Sequence, residues 1–167
     1  NISLPNNADL YWGWRVFSYC TNLQSVTIPS NVTSIGLWAF GECANLTNVT
    51  IQGTLTNIGS GAFVRCGSLK FIIPDSVTAI EGGAFIGCAS LTNITIPYGI
   101  TRIEPQTFLD CTGLRSVVIP NTVTSIGWYA FRNCASLASL TIPESVTFME
   151  QSSLELSYSL KSLYFCG

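Results

Sequence analysis

The chain has 167 residues, of which only 10% are charged and none is histidine, and its formal net charge is −2. Nucleic-acid binders usually carry clustered lysine and arginine, so this composition argues against a nucleic-acid partner. The apolar runs are short and interrupted by proline, far below the roughly 20 residues that a membrane-spanning helix requires. We therefore expect a protein with neither a nucleic-acid partner nor a membrane span.

A regular spacing of cysteines divides the chain into repeats. Six cysteines follow one another at intervals of 23, 23, 22, 23 and 23 residues, and Ser157 stands where the next would fall. They are Cys20, Cys43, Cys66, Cys88, Cys111 and Cys134. A period of this length predicts one supersecondary unit per repeat, with neighbouring units burying each other's apolar face. We expect residues 1–167 to form a single solenoid of about seven coils.

Each repeat predicts one strand, and the strands stack in parallel on a concave face. Seven strand segments begin at a leucine and continue with apolar residues on one face, the pattern of a half-buried strand. Segments one to seven begin at Leu23, Leu46, Leu69, Leu91, Leu114, Leu137 and Leu160. A second apolar pair, such as Val32 and Ile35, returns the chain across the core. From Ala39 to Leu46, apolar offsets of three predict a short helical turn on the convex side, which makes the expected fold an α/β solenoid.

Two departures from the repeat bear on the architecture. The repeat between Cys66 and Ile73 is one residue short, so we expect Leu69, Phe71 and Ile73 to point inward in a tightened strand that leaves the stack intact. Neither chain end resembles the polar capping repeat that solenoids normally need. We therefore expect a fragment or a processed form, with something outside this sequence covering its ends.

The repeated phrase identifies a family resemblance that covers essentially the whole chain. Cys134-Ala-Ser-Leu137-Ala-Ser-Leu140-Thr-Ile142-Pro143-Glu-Ser-Val146-Thr resembles the BspA-like, Treponema-type branch of the leucine-rich repeats. Members of that family are mostly secreted or surface-attached proteins of bacteria and some protists, implicated in adhesion. The resemblance implies an extracellular or cell-surface location and a binding role rather than catalysis. The last repeat departs from the pattern, with Ser153-Leu154 in place of Ala-Phe.

The outward-facing strand positions predict a binding surface. They carry no acidic residue, and their only charges are Lys70, Arg115 and Lys161, so the concave face should be mildly basic against a more acidic remainder. That segregation suits an acidic protein or glycan partner, although a Thr/Ser face chosen only for strand stacking explains the same pattern. The candidate binding residues are Gln24, Thr27, Asn48, Thr50, Lys70, Ile72, Asn93, Thr95, Arg115, Val118, Thr141, Lys161 and Tyr164.

Exposed aromatic residues form a second group of candidates. They precede the Ala-Phe pair near both ends of the chain, whereas Ser60-Gly61 and Gly82-Gly83 fill the same place in middle repeats. Such side chains are typical of binding anchors, and packing over the end repeats is an equally good explanation. The candidates are Trp12, Trp14, Trp38, Trp128 and Tyr129.

The chemistry-bearing residues favour structural roles. The repeated cysteines predict a column of buried free thiols, whereas Cys166 lies outside it as an accessible thiol or a crosslink. Without histidine or Cys-x-x-Cys, we expect no metal site and no cofactor. Glu81 and Glu104 occupy equivalent positions in adjacent coils, where paired carboxylates could act as acid and base, but satisfying the backbone N–H groups of the following turn is the stronger interpretation.

We therefore predict a non-enzymatic extracellular scaffold that binds a protein or glycan partner through its concave face. The alternative is a structural protein that assembles head to tail, because the two ends of a solenoid are different surfaces and their contact produces open filaments. In that case Trp12, Trp14 and Phe165 would be buried at the junction.

Overall fold

The computed structural model describes residues 2–3 and 14–166, which form a parallel-strand β-solenoid with about six coils of roughly 23 residues. The strands of the described residues are β1 (Ile2–Ser3), β2 (Ser25–Ile28), β3 (Ser34–Ile35), β4 (Asn48–Ile51), β5 (Asn57–Ile58), β6 (Ala79–Ile80), β7 (Asn93–Thr95), β8 (Arg102–Ile103), β9 (Ser116–Val118), β10 (Ser125–Ile126), β11 (Ser139–Ile142), β12 (Phe148–Met149) and β13 (Ser162–Phe165).

The strands form two columns, one on each side of a thin core. In the first column β1, β2 and β4 form one sheet, β7 pairs with β9, and β11 pairs with β13. In the second column the sheets have the orders β3-β5-β6 and β8-β10-β12. All pairs are parallel, and equivalent residues of successive coils face each other, as Val26 faces Val49. The predicted parallel stack is therefore confirmed, and the return strand of each coil adds a second ladder.

The first column is interrupted at the third strand segment, where the repeat is one residue short. The N–H of Lys70 still donates to the carbonyl oxygen of Thr47, 3.1 Å away, but residues 71–74 form no strand with either neighbouring coil. The inward positions predicted for this segment are confirmed, because Leu69, Phe71 and Ile73 are all buried. The missing residue therefore removes hydrogen bonds without changing which side chains fill the core.

One phenylalanine per coil stacks on the next and forms the centre of the core. Successive ring centroids are 5.5 or 5.6 Å apart and the rings lie within 10° of parallel. The column consists of Phe17, Phe40, Phe63, Phe85, Phe108 and Phe131. Each fully buried ring contributes roughly 1.5–3 kcal/mol of hydrophobic free energy. The spacing between Phe63 and Phe85 is also 5.6 Å, so the stack continues past the short repeat, as predicted.

The helical turns predicted on the convex side are wrong, because residues 14–166 contain no helix. The N–H of Gly41 donates to the Trp38 carbonyl within its own coil, at 3.0 Å. The N–H of Phe40 instead donates to the Ala62 carbonyl of the next coil, at 2.9 Å. Every second N–H group of the turn thus donates to a carbonyl oxygen of the next coil. The i to i−4 hydrogen bonds of an α-helix therefore cannot form. The convex side is a column of tight turns, and the fold is a β-solenoid.

These turns place two residues per coil in the left-handed backbone region. Trp38 and Glu42 have φ values of 55° and 63°, and the equivalent residues of the other coils behave alike. The first set continues with Arg15, Gly61, Gly83, Gln106, Tyr129 and Ser152, and the second with Tyr19, Arg65, Gly87, Asp110, Asn133 and Leu156. A positive φ costs a residue other than glycine on the order of 1–3 kcal/mol. The hydrogen bonds between coils hold these positions in the strained conformation.

Candidate functional site

The concave face presents three rows of side chains along the stack. The leading row follows each leucine and is held in register by backbone bonds, such as those from Arg115 N–H to the Thr92 carbonyl at 2.8 Å and from Lys161 N–H to the Ala138 carbonyl at 2.9 Å. The leading row is Gln24, Thr47, Lys70, Thr92, Arg115, Ala138 and Lys161. The middle row is Ser25, Asn48, Asn93, Ser116, Ser139 and Ser162, and the trailing row is Thr27, Thr50, Ile72, Thr95, Val118, Thr141 and Tyr164.

The thirteen residues predicted for this face all lie in these rows. Twelve of them are exposed, and Thr27 is half-buried. Short polar contacts order the middle row, because the Ser116 hydroxyl donates to Asn93 Oδ1 at 2.7 Å and Asn48 Nδ2 donates to Thr50 Oγ1 at 3.3 Å. The face is therefore a flat, mostly polar surface of accessible side chains.

The cations of this face differ from the other cations in the molecule. Among the described residues the side chains of Lys70, Arg115 and Lys161 form no ion pair, hydrogen bond or ring contact. The arginines elsewhere are all engaged. Arg65 pairs with Glu42, Arg102 with Glu104 and Glu150, Arg132 with Glu155, and Arg15 lies over the ring of Trp38. The concave cations are thus free to meet an anionic partner.

Two clefts open on or beside the concave face. One of about 560 Å³ lies where the first strand column is interrupted, between Lys70 and Asn93. The other, of about 490 Å³, lies beside the trailing row and is lined by Val118, Tyr98 and the exposed Cys166. The sequence prediction missed Tyr98, which is 74% exposed. Its signal was an aromatic residue at a turn position that holds Ser30, Gly53, Asp75, Asn121 or Glu144 in other repeats.

The predicted aromatic anchors do not form one surface with these rows, because they belong to the turn column. Trp12 lies outside the described residues. Trp14 is 78% exposed, whereas Trp38 and Tyr129 are half-buried. The Trp128 and Tyr129 rings contact each other edge to face with centroids 4.6 Å apart. Packing along the turns therefore accounts for Trp38 and Tyr129, and a binding role for these aromatics stays a prediction.

The two carboxylates considered as a catalytic pair have different structural partners. Glu81 Oε2 accepts a hydrogen bond from the backbone N–H of Ser60 at 3.0 Å. Glu104 instead pairs with Arg102 at 3.3 Å. Glu150 accepts from the backbone N–H of Trp128 at 3.1 Å and pairs with Arg102 at 2.6 Å, and this hydrogen bond raises the pKa of the Arg102 guanidinium. Glu81 does satisfy a backbone N–H group, but the donor is Ser60 of the preceding coil and not, as predicted, an N–H of the following turn.

The repeated cysteines form a column of free thiols beside the phenylalanines. Each buried Sγ atom donates to the backbone carbonyl oxygen of a phenylalanine 25 or 26 residues earlier, at 3.0–3.3 Å. Burial raises the pKa of these thiols, to about 11 for Cys43 and about 12 for Cys134. Such thiols are poor nucleophiles and poor metal ligands. Within the described residues no group of three His, Cys, Asp or Glu side chains is arranged to hold a metal ion.

The geometry places this chain in the class of repeat solenoids with a flat strand face. Comparison with known proteins identifies the family. The model of the BspA type leucine rich repeat region matches residues 11–112 and 57–167, with six copies. The chain belongs to this family, whose members are typically non-enzymatic scaffolds. A comparison with curated protein sequences finds no match. None of the described residues forms a helix that is long and apolar enough to cross a membrane.

Solved structures show the same fold over nearly the whole chain. A leucine-rich cell surface protein from Faecalibacterium prausnitzii is 34% identical over 98% of this chain, with a TM-score of 0.89. A leucine-rich repeat protein from Bacteroides ovatus is 26% identical over 97%, also with a TM-score of 0.89. The leucine-rich repeat protein of T. pallidum is 26% identical over 81% of this chain and 77% of its own, with a TM-score of 0.63. The chain spans only 46% and 44% of the first two proteins.

Proposed function

We infer that this chain is a non-enzymatic scaffold at the cell surface or outside the cell, and that it binds a protein or glycan partner through its concave face. The family and the cell surface protein of F. prausnitzii support the location and the scaffold role. The family resemblance brings no catalytic motif whose residues could be assigned in this sequence, which supports a binding role rather than catalysis.

The observation that carries this proposal is the pairing state of the cations. Lys70, Arg115 and Lys161 lie on one exposed face and have no carboxylate partner among residues 14–166, whereas the arginines of the turns and return strands in that range are paired or lie over an aromatic ring. Unpaired cations on a face without acidic residues create a positive potential, which attracts anionic partners and sets their orientation.

Two variants with the same change in net charge test the proposal. The concave variant carries Lys70→Gln, Arg115→Gln and Lys161→Gln, and the control carries Arg15→Gln, Arg65→Gln and Arg132→Gln on the turns. Each variant and the parent chain are titrated against a glycan array and immobilised extracellular proteins. We expect partners of the parent chain to bind the concave variant at least about tenfold more weakly and to bind the control normally. Equal binding by all three proteins would reject the concave face as the site.

A specific observation also favours the second candidate, end-to-end assembly of this chain. Leu163 and Phe165 of β13 are exposed, whereas the equivalent Leu140 and Ile142 are buried beneath the following coil. A second copy docked on β13 would cover this apolar edge as a further coil does. Sedimentation velocity of the 167-residue chain tests this candidate. Assembly predicts species that grow with concentration and that are lost on Phe165→Asp, and a monomer at all concentrations contradicts it.

A further inference from the structure

From segment two to segment seven the side chains of the concave face have a period of two coils, twice that of the repeat itself, whereas segment one carries the uncharged Gln24 and Thr27. In the leading row the cations stand on strand segments three, five and seven, as Lys70, Arg115 and Lys161. Segments two, four and six carry the uncharged Thr47, Thr92 and Ala138 in the same row. Backbone hydrogen bonds join Lys70 to Thr47, Arg115 to Thr92 and Lys161 to Ala138 within this row. Those from the Ser90 N–H to the Gly67 carbonyl and from the Ser136 N–H to the Thr112 carbonyl join the coils between them, so the alternation in sequence is also an alternation in space.

The trailing row has the same period of two coils, but in this row apolar side chains alternate with threonines. Segments three, five and seven carry Ile72, Val118 and Tyr164, which are 88%, 58% and 57% exposed. Segments two, four and six carry Thr50, Thr95 and Thr141, and the last two face Val118 and Tyr164 directly in the ladder. Segments three, five and seven therefore each present one exposed apolar side chain and one cation that has no partner among the described residues, and segments two, four and six present small, mostly hydroxyl-bearing side chains.

The spacing limits what can match this surface. Neighbouring strands lie about 4.8 Å apart, so the cation and its apolar neighbour recur about every 10 Å. An extended peptide repeats its side chains on one face roughly every 6.6–6.8 Å, which falls out of phase within two segments. The pyranose units of a linear polysaccharide advance by about one strand spacing each, so such a chain stays in phase with every segment.

We propose that the concave face binds a linear polysaccharide in which acidic and neutral sugars alternate, with one sugar per strand segment. Each sugar carboxylate pairs with Lys70, Arg115 or Lys161. The apolar C–H face of the same sugar packs on the trailing-row side chain beside it. Neutral sugars lie over the threonine segments, where Thr92 and Thr95 offer hydroxyl groups. Five sugars with acids at positions one, three and five occupy the site, and this deepens the proposed function, on which it rests.

The test compares four probes by isothermal titration calorimetry at low salt. They are a hyaluronan octasaccharide, in which glucuronate and N-acetylglucosamine alternate, a hexagalacturonate with an acid on every sugar, the neutral chitohexaose, and the peptide (Glu-Pro-Pro)₄. The peptide is included because a polyproline II helix repeats about every 9.3 Å and could also match two coils. We expect hyaluronan to bind at least about tenfold more tightly than chitohexaose and more tightly than the peptide.

A variant in which one cation moves to the neighbouring segment tests whether binding depends on the alternation of the cations or only on their number. Lys70→Thr with Thr92→Lys keeps the net charge and moves one cation from segment three to segment four. We expect hyaluronan to bind this variant roughly tenfold more weakly and hexagalacturonate to bind it normally, since an acid faces every segment in that polymer. Circular dichroism establishes that both proteins are folded.

The outcomes are distinguishable. Equal losses for both acidic polymers, no loss for either, or tighter binding of the peptide would each overturn the alternating-polysaccharide proposal. A parent chain that binds a protein through the concave cations but binds no polysaccharide would overturn it while leaving the proposed function intact. Binding that ignores the cations altogether would overturn both.

Discussion

The Sγ atom of Cys66 donates a hydrogen bond to the backbone carbonyl oxygen of Phe40, 3.0 Å away and 26 residues earlier in the chain. The hydroxyl of Ser157 makes the same contact with the carbonyl of Phe131, at 2.8 Å. The column that the sequence predicts as small apolar filler is therefore also a ladder of hydrogen bonds between coils. A disulfide sulfur carries no proton and cannot donate this hydrogen bond. The ladder therefore requires these cysteines to be reduced.

The ladder predicts an unusual order of tolerance at Cys66. Serine can keep the hydrogen bond to the Phe40 carbonyl, as Ser157 does with the Phe131 carbonyl, whereas alanine removes it and leaves that oxygen the longer bond from the Cys43 N–H, at 3.2 Å. We expect Cys66→Ser to exceed Cys66→Ala in free energy of unfolding by about 1 kcal/mol. Urea unfolding followed by fluorescence measures the difference. Alanine as stable as serine would mean that the thiols serve only as packing.

The buried thiols also predict a loss of stability at high pH. Burial raises the pKa of Cys43 from 9.0 to about 11 and that of Cys134 to about 12. Above pH 9 the unfolded chain releases thiol protons that the folded chain keeps. The contribution of the thiols to the free energy of unfolding should therefore be constant well below pH 9 and fall as the pH rises toward 12. Denaturant titrations at several pH values measure the decline. A variant with Cys43→Ser and Cys134→Ser should lose less over this range, and an identical decline would contradict the assignment.

Alkylation should separate Cys166 from the column. Cys166 is exposed, whereas Cys43, Cys66 and Cys88 are buried. We expect iodoacetamide to modify Cys166 first under native conditions and to modify the buried thiols only after unfolding. Intact mass and peptide mapping over time follow the reaction. Finding column cysteines paired with one another before any denaturation would refute the prediction.

The packing of Trp38 predicts that an added methyl group destabilises the protein at Gly61 but not at Gly67. A Cβ on Gly61 would lie 2.6 Å from Trp38 Nε1, and Gly61 has a φ of +59°, whereas a Cβ on Gly67 would meet nothing within 4 Å. We expect Gly61→Ala to lower the free energy of unfolding by about 1–3 kcal/mol and Gly67→Ala to leave it nearly unchanged. In a Trp38→Ala background, Gly61→Ala should lower the free energy of unfolding only by the cost of the backbone strain. Equal costs in both backgrounds would mean that Trp38 does not pack on Gly61.

The strand face was predictable because its signal is local. Alternation of apolar and polar residues states which side chains face the core, and it held even in the short repeat, where Phe71 and Ile73 are buried and Ile72 is exposed. The exposed rows of the concave face follow from the same period. Proximity between coils followed from the repeat length alone.

The turns were not predictable in the same way. The offset of three between apolar residues from Phe40 to Leu46 suits a helical turn and a column of tight turns equally well. The difference lies in where the backbone N–H groups donate, and that depends on the next coil, as with Phe40 and Ala62. The positive φ of Trp38 could not be predicted either. Glycine is the usual sign of such a position, and it occurs here only at Gly61, Gly83 and Gly87.

Part of the candidate site was hidden for a related reason. The sequence places Lys70, Arg115 and Lys161 on one face, but their lack of partners depends on which side chains of adjacent coils reach one another. Arg65 finds Glu42 from 23 residues away on the turn side. No equivalent acid stands beside the concave cations in the described part of the chain, and only the assembled stack makes that contrast visible.

The central claim, that the concave cations contact the partner, can be measured on the unaltered chain, because its only lysines are Lys70 and Lys161. Acetylation of these two side chains by an amine-reactive ester, read separately from that of the N-terminal amine by peptide mass spectrometry, reports on the concave face. A chain carrying Ala89→Lys adds an exposed reference lysine among the turns. We predict that a bound partner slows acetylation of Lys70 and Lys161 and leaves the introduced lysine unaffected, and that prior acetylation prevents binding. Unchanged acetylation of both native lysines in a saturated complex would contradict the account.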